Sequence, residues 1–294
     1  MQLLALNARA RAYFVGLAAQ LLSLQCENMA ITFRNAPLIE VIAEIKWGIG
    51  SLPPEVLASM SPMGFQTESG DSEAFYSRVS EEVAVRGITR AERLMPPGFP
   101  VFPGQVVYRY KSASKLSANL MQVGPGVFTV NALPPYKSWD DFSHFISEGL
   151  DALLASRPAS ERDSDFASVN LRFINGFGKE YYAKQSRIEF LRGMGFEVGL
   201  PGAMDQITKD TTDAKFNLNY TSKLPDGAVV QVNLGEGVKD GAPIQVVELG
   251  CTHSYIGPDR EKLLAVLHDS HSLIESIFLD MTKNIRDQMI PQEV

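Results

Sequence analysis

The chain has 294 residues, 45% of them hydrophobic and 21% charged, with 27 basic against 34 acidic side chains and a formal net charge of -7. That charge is opposite in sign to the footprint of a general nucleic-acid binder and argues against nucleic acid as a partner. The two cysteines, Cys26 and Cys251, are too few for a disulfide framework and point to a reducing, cytoplasmic compartment.

Residues 1-28 stand apart from the rest. Arg9 and Arg11 precede an apolar run over 12–24, which is too short to span a bilayer and lacks a small-residue cleavage site. Met29 opens Met-Ala-Ile-Thr-Phe-Arg-Asn-Ala-Pro, which reads as a domain start, so the preceding residues read as an N-terminal extension.

Over 38–47, Ile39, Val41, Ala43, Ile45 and Trp47 alternate with Glu40, Glu44 and Lys46, the period-two pattern of a strand. Pro53 and Pro54 open a short helix through Met60. Residues 61–104 hold a polar stretch, a periodic segment of ambiguous type over 74–88, and a proline-rich loop over 95–104. Strand-like runs follow at 105–111, 116–123 and 127–133, close enough to join as antiparallel hairpins. Ser138 and Asp141 fit an N-terminal capping box for a helix ending near Ser156. A strand over 167–177, a short helix over 187–193 and strands over 215–222, 228–234 and 243–254 come next. The last element is a helix from Asp259, predicted at roughly 28 residues and about 40 Å. This order predicts an α+β protein of two antiparallel sheet-plus-long-helix units, 29-178 and 179-294, patterned like an internal duplication.

Several segments together resemble an uncharacterised, sporadically distributed prokaryotic family. They are Ala36-Pro37-Leu38-Ile39-Glu40-Val41, Pro135-Tyr136-Lys137-Ser138-Trp139-Asp140-Asp141-Phe142, Leu171-Arg172-Phe173-Ile174-Asn175, and His271 with Phe278 and Thr282. Two departures are Phe173, where the family often has tyrosine, and Gly176-Phe177 in place of a basic-hydrophobic pair. The resemblance implies the domain start at Met29 and an accessory role in mobile or defence-associated gene sets. It brings no activity.

The candidate site rests on charge inside apolar runs. Glu40, Arg172 and Asn175 converge if the first strand neighbours the 167–177 strand, either as a structural ion pair or as a polar pocket floor binding a carboxylate or phosphate. Tyr136 and Trp139 flank a helix start that can hold an anion beside an aromatic wall, although packing on the sheet is the commoner use of such residues. Cys251, His253, His268 and His271 match no compact zinc module, so no metal is assigned. His271 reads instead as a core histidine and His268 as a solvated one. No cofactor motif and no catalytic residue stands out. The leading expectation is a non-enzymatic protein-interaction or accessory protein with a protein partner or a homo-oligomeric state, and no membrane attachment. The alternative is a small-ligand binding protein or hydrolase built around Arg172.

Overall fold

The structure, a computed structural model, describes residues 31–48, 70–113, 118–182, 185–197, 203 and 216–293. In chain order the elements are β1 (Ile31–Phe33), β2 (Leu38–Lys46), α1 (Gly70–Ala84), β3 (Arg90–Arg93), β4 (Tyr108–Lys111), β5 (Asn119–Gly124) and β6 (Val127–Ala132). Then come α2 (Trp139–Ser156), β7 (Phe166–Phe177), α3 (Lys179–Tyr182), α4 (Arg187–Gly193), β8 (Leu218–Lys223), β9 (Val229–Lys239), β10 (Ala242–Ile256), α5 (Arg260–Met281), α6 (Arg286–Met289) and β11 (Pro291–Glu293). The helix expected at 53–60 lies outside the described residues.

Two compact units are present, one of residues 37–284 and one of residues 1–36 with 285–294. In the smaller, β1 and β11 pair antiparallel, and the Arg34 and Asn35 amides donate to the Ile290 and Met289 carbonyls.

The larger unit is α+β, built on one nine-stranded sheet in the order β3-β4-β5-β6-β2-β7-β10-β9-β8 with every pair antiparallel. The hairpins expected from the sequence join into a single layer because β2 and β7 pair along most of β2, so the sheet runs on without a break past residue 178. On either side of that central pair the plan repeats. A leading strand (β2 or β7) is followed by a meander, of four strands (β3–β6) in the first case and three (β8–β10) in the second, whose last strand (β6 or β10) returns to its side, and then by a long helix. This is a correspondence of topology alone.

Three helices cover one face. Phe142, Ile146, Leu150 and Leu153 of α2 are buried there, as are Leu263, Leu267 and Ile274 of α5 and Phe75, Val79 and Val83 of α1. Each such side chain contributes roughly 1.5–3 kcal/mol by leaving water. The strands meet them with Val41, Ala43 and Ile45 of β2, Val130 of β6 and Leu249 of β10, all buried. The segment of ambiguous period is the helix α1. The long helix expected from Asp259, α5, has 22 residues, about 33 Å at the α-helical rise, and closes where the Thr282 hydroxyl donates to the Phe278 carbonyl.

Candidate functional site

Period-two alternation sends the other set of strand side chains to the opposite face. Cross-strand partners share a face, so the register places Glu44 of β2, Thr129 of β6, Asn170 of β7 and Thr252 of β10 in one row across it. Arg172, Ile42, Asn131 and Gly250 form the next row, with Glu40, Ile174 and Glu248 beyond. On β9 and β8 the same face continues through Gln231, Asn233, Thr221 and Asn219. No described helix lies on it. The 94–107 loop closes over one end at Gly124, where an added Cβ would collide with the Gln105 carbonyl oxygen.

Arg172 is the centre of this face. Its guanidinium lies 3.4 Å from Glu248 Oε1 and 3.9 Å from Glu44 Oε2, and Lys46 reaches Glu44 at 3.0 Å. Glu40 has a different partner: Asn131 Nδ2 donates to its Oε1 at 2.7 Å, and Asn131 Oδ1 accepts from Thr129 Oγ1 at 2.6 Å. Arg172 Nε and Asn170 Oδ1 are buried without a hydrogen-bond partner. Gly250 lies against both, since a Cβ there would be in ordinary van der Waals contact with Arg172 Cγ at 3.4 Å, the Leu171 carbonyl oxygen at 3.7 Å and Asn170 Oδ1 at 3.8 Å.

The proposed convergence of Glu40, Arg172 and Asn175 does not form. Glu40 and Arg172 share the polar face but bond elsewhere. Asn175 is an odd number of residues from Arg172, so it points to the helix side, buried, with Nδ2 3.5 Å from the Val247 carbonyl. The partners of Arg172 that sequence reasoning passed over, Glu44 and Glu248, were detectable in principle. Glu44 lies on the same alternation as Glu40, and Glu248 alternates with Val247 and Leu249.

Tyr136 and Trp139 lie on the helix side as well, in a cluster between α2 and α5. The Trp139 ring stacks on His271 with centroids 4.1 Å apart and planes 11° from parallel. Its Nε1 donates to His268 Nδ1 at 3.1 Å, which leaves the hydrogen of neutral His268 on Nε2. The Phe173 ring lies tilted against His271, with centroids 5.9 Å apart. Burial, and secondarily His268, holds the His271 imidazole down at about 4. Burial also raises the Glu275 carboxyl. The Tyr136 hydroxyl is buried without a partner, and burial together with Glu275, Asp140 and Asp141 pushes it up. An anion at this helix start would meet those three carboxyl groups, and the aromatic wall is already occupied by His271. Beside the cluster a cleft of about 380 Å³ opens between α2 and α5, walled by Trp139 and His268 over Leu264 and Leu267.

Cys251 and His253 meet α5 at a different point. His253 Nε2 is 3.2 Å from Ser270 Oγ and 3.8 Å from Cys251 Sγ. The Ser270 hydroxyl donates to the Val266 carbonyl at 2.7 Å, so toward His253 its oxygen accepts and the imidazole is the donor. That is the reverse of the proton flow a serine nucleophile needs. Burial, the largest influence, raises the Cys251 thiol, which disfavours the reactive thiolate. No described helix is long and apolar enough to cross a membrane.

No protein-family model, curated protein or solved structure matches the chain, so the family resemblance carries no activity over to it.

Proposed function

We propose that the protein works by binding another protein, without catalysis of its own, and that the polar face of the sheet is the surface it uses. The observation behind this reading is the face itself. It carries charged, amide and hydroxyl side chains on every strand from β6 across to β8, and no described helix lies on it. Arg172 is held by Glu44 and Glu248, and Glu40 separately by Asn131, so a partner meets donors and acceptors in fixed positions. Less side-chain entropy is then lost on docking. A carboxylate or phosphate ligand at Arg172 has weaker support, because it would have to displace two carboxylates from the guanidinium. The His253, Ser270 and Cys251 group offers no activated nucleophile.

The test compares three immobilised proteins in extract of the native host. One is wild type, and one carries Gln231→Arg with Thr252→Arg, both on the polar face. The third carries Val85→Lys, just beyond α1, where the side chain is 81% exposed. A partner retained by wild type and Val85→Lys, and lost by the face variant, is the expected result. Equal retention by all three, or no retained partner, would sink the proposal. A thermal-shift screen against carboxylates and nucleotides tests the ligand reading separately.

A further inference from the structure

The two edges of the nine-stranded sheet differ in character. β3 reads Arg90-Ala91-Glu92-Arg93, so three of its four residues are charged, the usual guard on a strand edge left to water. β8 reads Leu218-Asn219-Tyr220-Thr221-Ser222-Lys223, with its one charge at the end and no proline. It pairs with β9 in an unbroken register with no bulge. Leu218 and Tyr220 are 43% and 53% exposed, both on the helix-side face, opposite Leu234 and Val232 of β9. Among the described residues, an edge that is regular and neutral up to Lys223, with two exposed apolar anchors, carries little of what discourages strand addition on β3.

We propose that β8 pairs antiparallel with β8 of a second copy about a two-fold axis normal to the sheet, so that the two sheets continue as one. This goes beyond the proposed use of the polar face and does not depend on it. A second copy fits because the strand is complementary to itself. Opposed residues of an antiparallel pair lie on the same face, so only registers that oppose helix-side to helix-side residues keep both polar faces together. Centring the axis on Tyr220 does this. Tyr220 then faces the partner's Tyr220, Leu218 faces the partner's Ser222, and Asn219 faces the partner's Thr221. Lys223 faces the partner's Asn217, so no like charges oppose. The ladder is short, which makes the dimer a weak, concentration-dependent one.

Size-exclusion chromatography with light scattering on the full chain reads the outcome. At tens of micromolar the mass should approach twice 32.3 kDa and should fall toward one copy on dilution. Tyr220→Lys would set two ammonium groups opposite each other and raise the dissociation constant by about tenfold or more. Val238→Lys, at an exposed site on β9, should leave the mass unchanged, and circular dichroism checks that each variant is folded. In a Cys26→Ser background, Tyr220→Cys should cross-link under mild oxidation, because opposed Cα atoms of an antiparallel pair stand about 4.5–5.5 Å apart, within disulfide range. Thr221→Cys, opposed to asparagine, should not. A monomer at every concentration, a dimer indifferent to Tyr220→Lys, or cross-linking as fast at Thr221→Cys would overturn the proposal. So would a monomer that captures an unrelated extended segment at β8.

Discussion

Arg172 is held from both sides by carboxylates on neighbouring strands, so its removal would leave Glu44 and Glu248 without their shared cation. Breaking a fully buried pair costs about 3–5 kcal/mol. Here the side chains of Arg172, Glu44 and Glu248 keep 26%, 16% and 22% of their exposure, so solvent screening reduces the expected loss for Arg172→Met to about 1–2 kcal/mol. Urea denaturation should show it, and adding Glu248→Gln should recover part. An unchanged midpoint in the single variant would mean that the ion pairs contribute nothing. His271 gives a second prediction. Its imidazole is held down at about 4 against an ordinary value of 6.5. Between these values the unfolded chain binds a proton that the folded chain does not. Stability therefore falls as pH drops from 6.5 toward 4, by about 3 kcal/mol at most, and changes no further below. Glu275, raised by burial, works in the other direction, since its buried carboxyl takes up a proton more readily when folded. His271→Phe should thus flatten the fall in melting temperature between about pH 7 and pH 4.5, whereas Glu275→Gln should steepen it. Parallel profiles for wild type and His271→Phe would remove the histidine from the account. The sequence singles out Arg172 because its neighbours are apolar. Arg157, 2% exposed with its guanidinium 4.3 Å over the Phe166 ring, is more deeply buried, yet it stands between Ser156 and Pro158 at a helix end where no local pattern announces burial.

The seat of α2 on the sheet depends on Gly149. An added Cβ would lie 2.8 Å from Val130 Cγ2, with Met121 Cε at 3.2 Å and Phe128 Cε1 at 3.3 Å. A glycine inside a helix is ordinarily a weakness of about 1 kcal/mol relative to alanine, but here the missing side chain lets helix and strand approach. Gly149→Val should therefore destabilise by about 1–3 kcal/mol through overpacking. Val130→Ala in the same chain should give part of that back, and a rise in the denaturation midpoint of the single variant would refute the close-approach explanation. The elements best read from sequence are those whose ends carry their own chemistry. The Ser138 hydroxyl accepts from the Asp141 amide at the start of α2, and α4 has the expected bounds, with Ser186 and Glu189 forming a reciprocal capping box. β3 is not legible in the sequence, because Arg-Ala-Glu-Arg has no apolar alternation. α1 is ambiguous there because its apolar residues Phe75, Tyr76, Val79 and Val83 follow a polar first turn.

Hairpins are legible because they are local, but the step from two layers to one sheet rests on β2 meeting β7, strands far apart in sequence whose pairing no short-range pattern encodes. The same non-local pairing decides which site residues can meet, since it puts Glu44 rather than Glu40 within reach of Arg172 and leaves Asn175 behind the sheet. It also has a consequence for how the unit of residues 37–284 unfolds. β2 lies between β6 and β7, and β7 between β2 and β10, so neither half has a finished edge without the other. Separating them would expose Val41, Ala43 and Ile45 together with Val169 and Leu171, all buried in the intact sheet. Native-state hydrogen exchange should accordingly find the amides of β6, β2, β7 and β10 opening together at the highest free energy in this unit, with those of β3 and β8 opening earlier. Residues 37–165 expressed alone should fail to give a cooperative transition, because β2 would become a long apolar edge. If β6 with β2 opened at a free energy more than about 1 kcal/mol away from that of β7 with β10, or if residues 37–165 folded by themselves, the halves would be independent and the β2–β7 ladder only a seam between them.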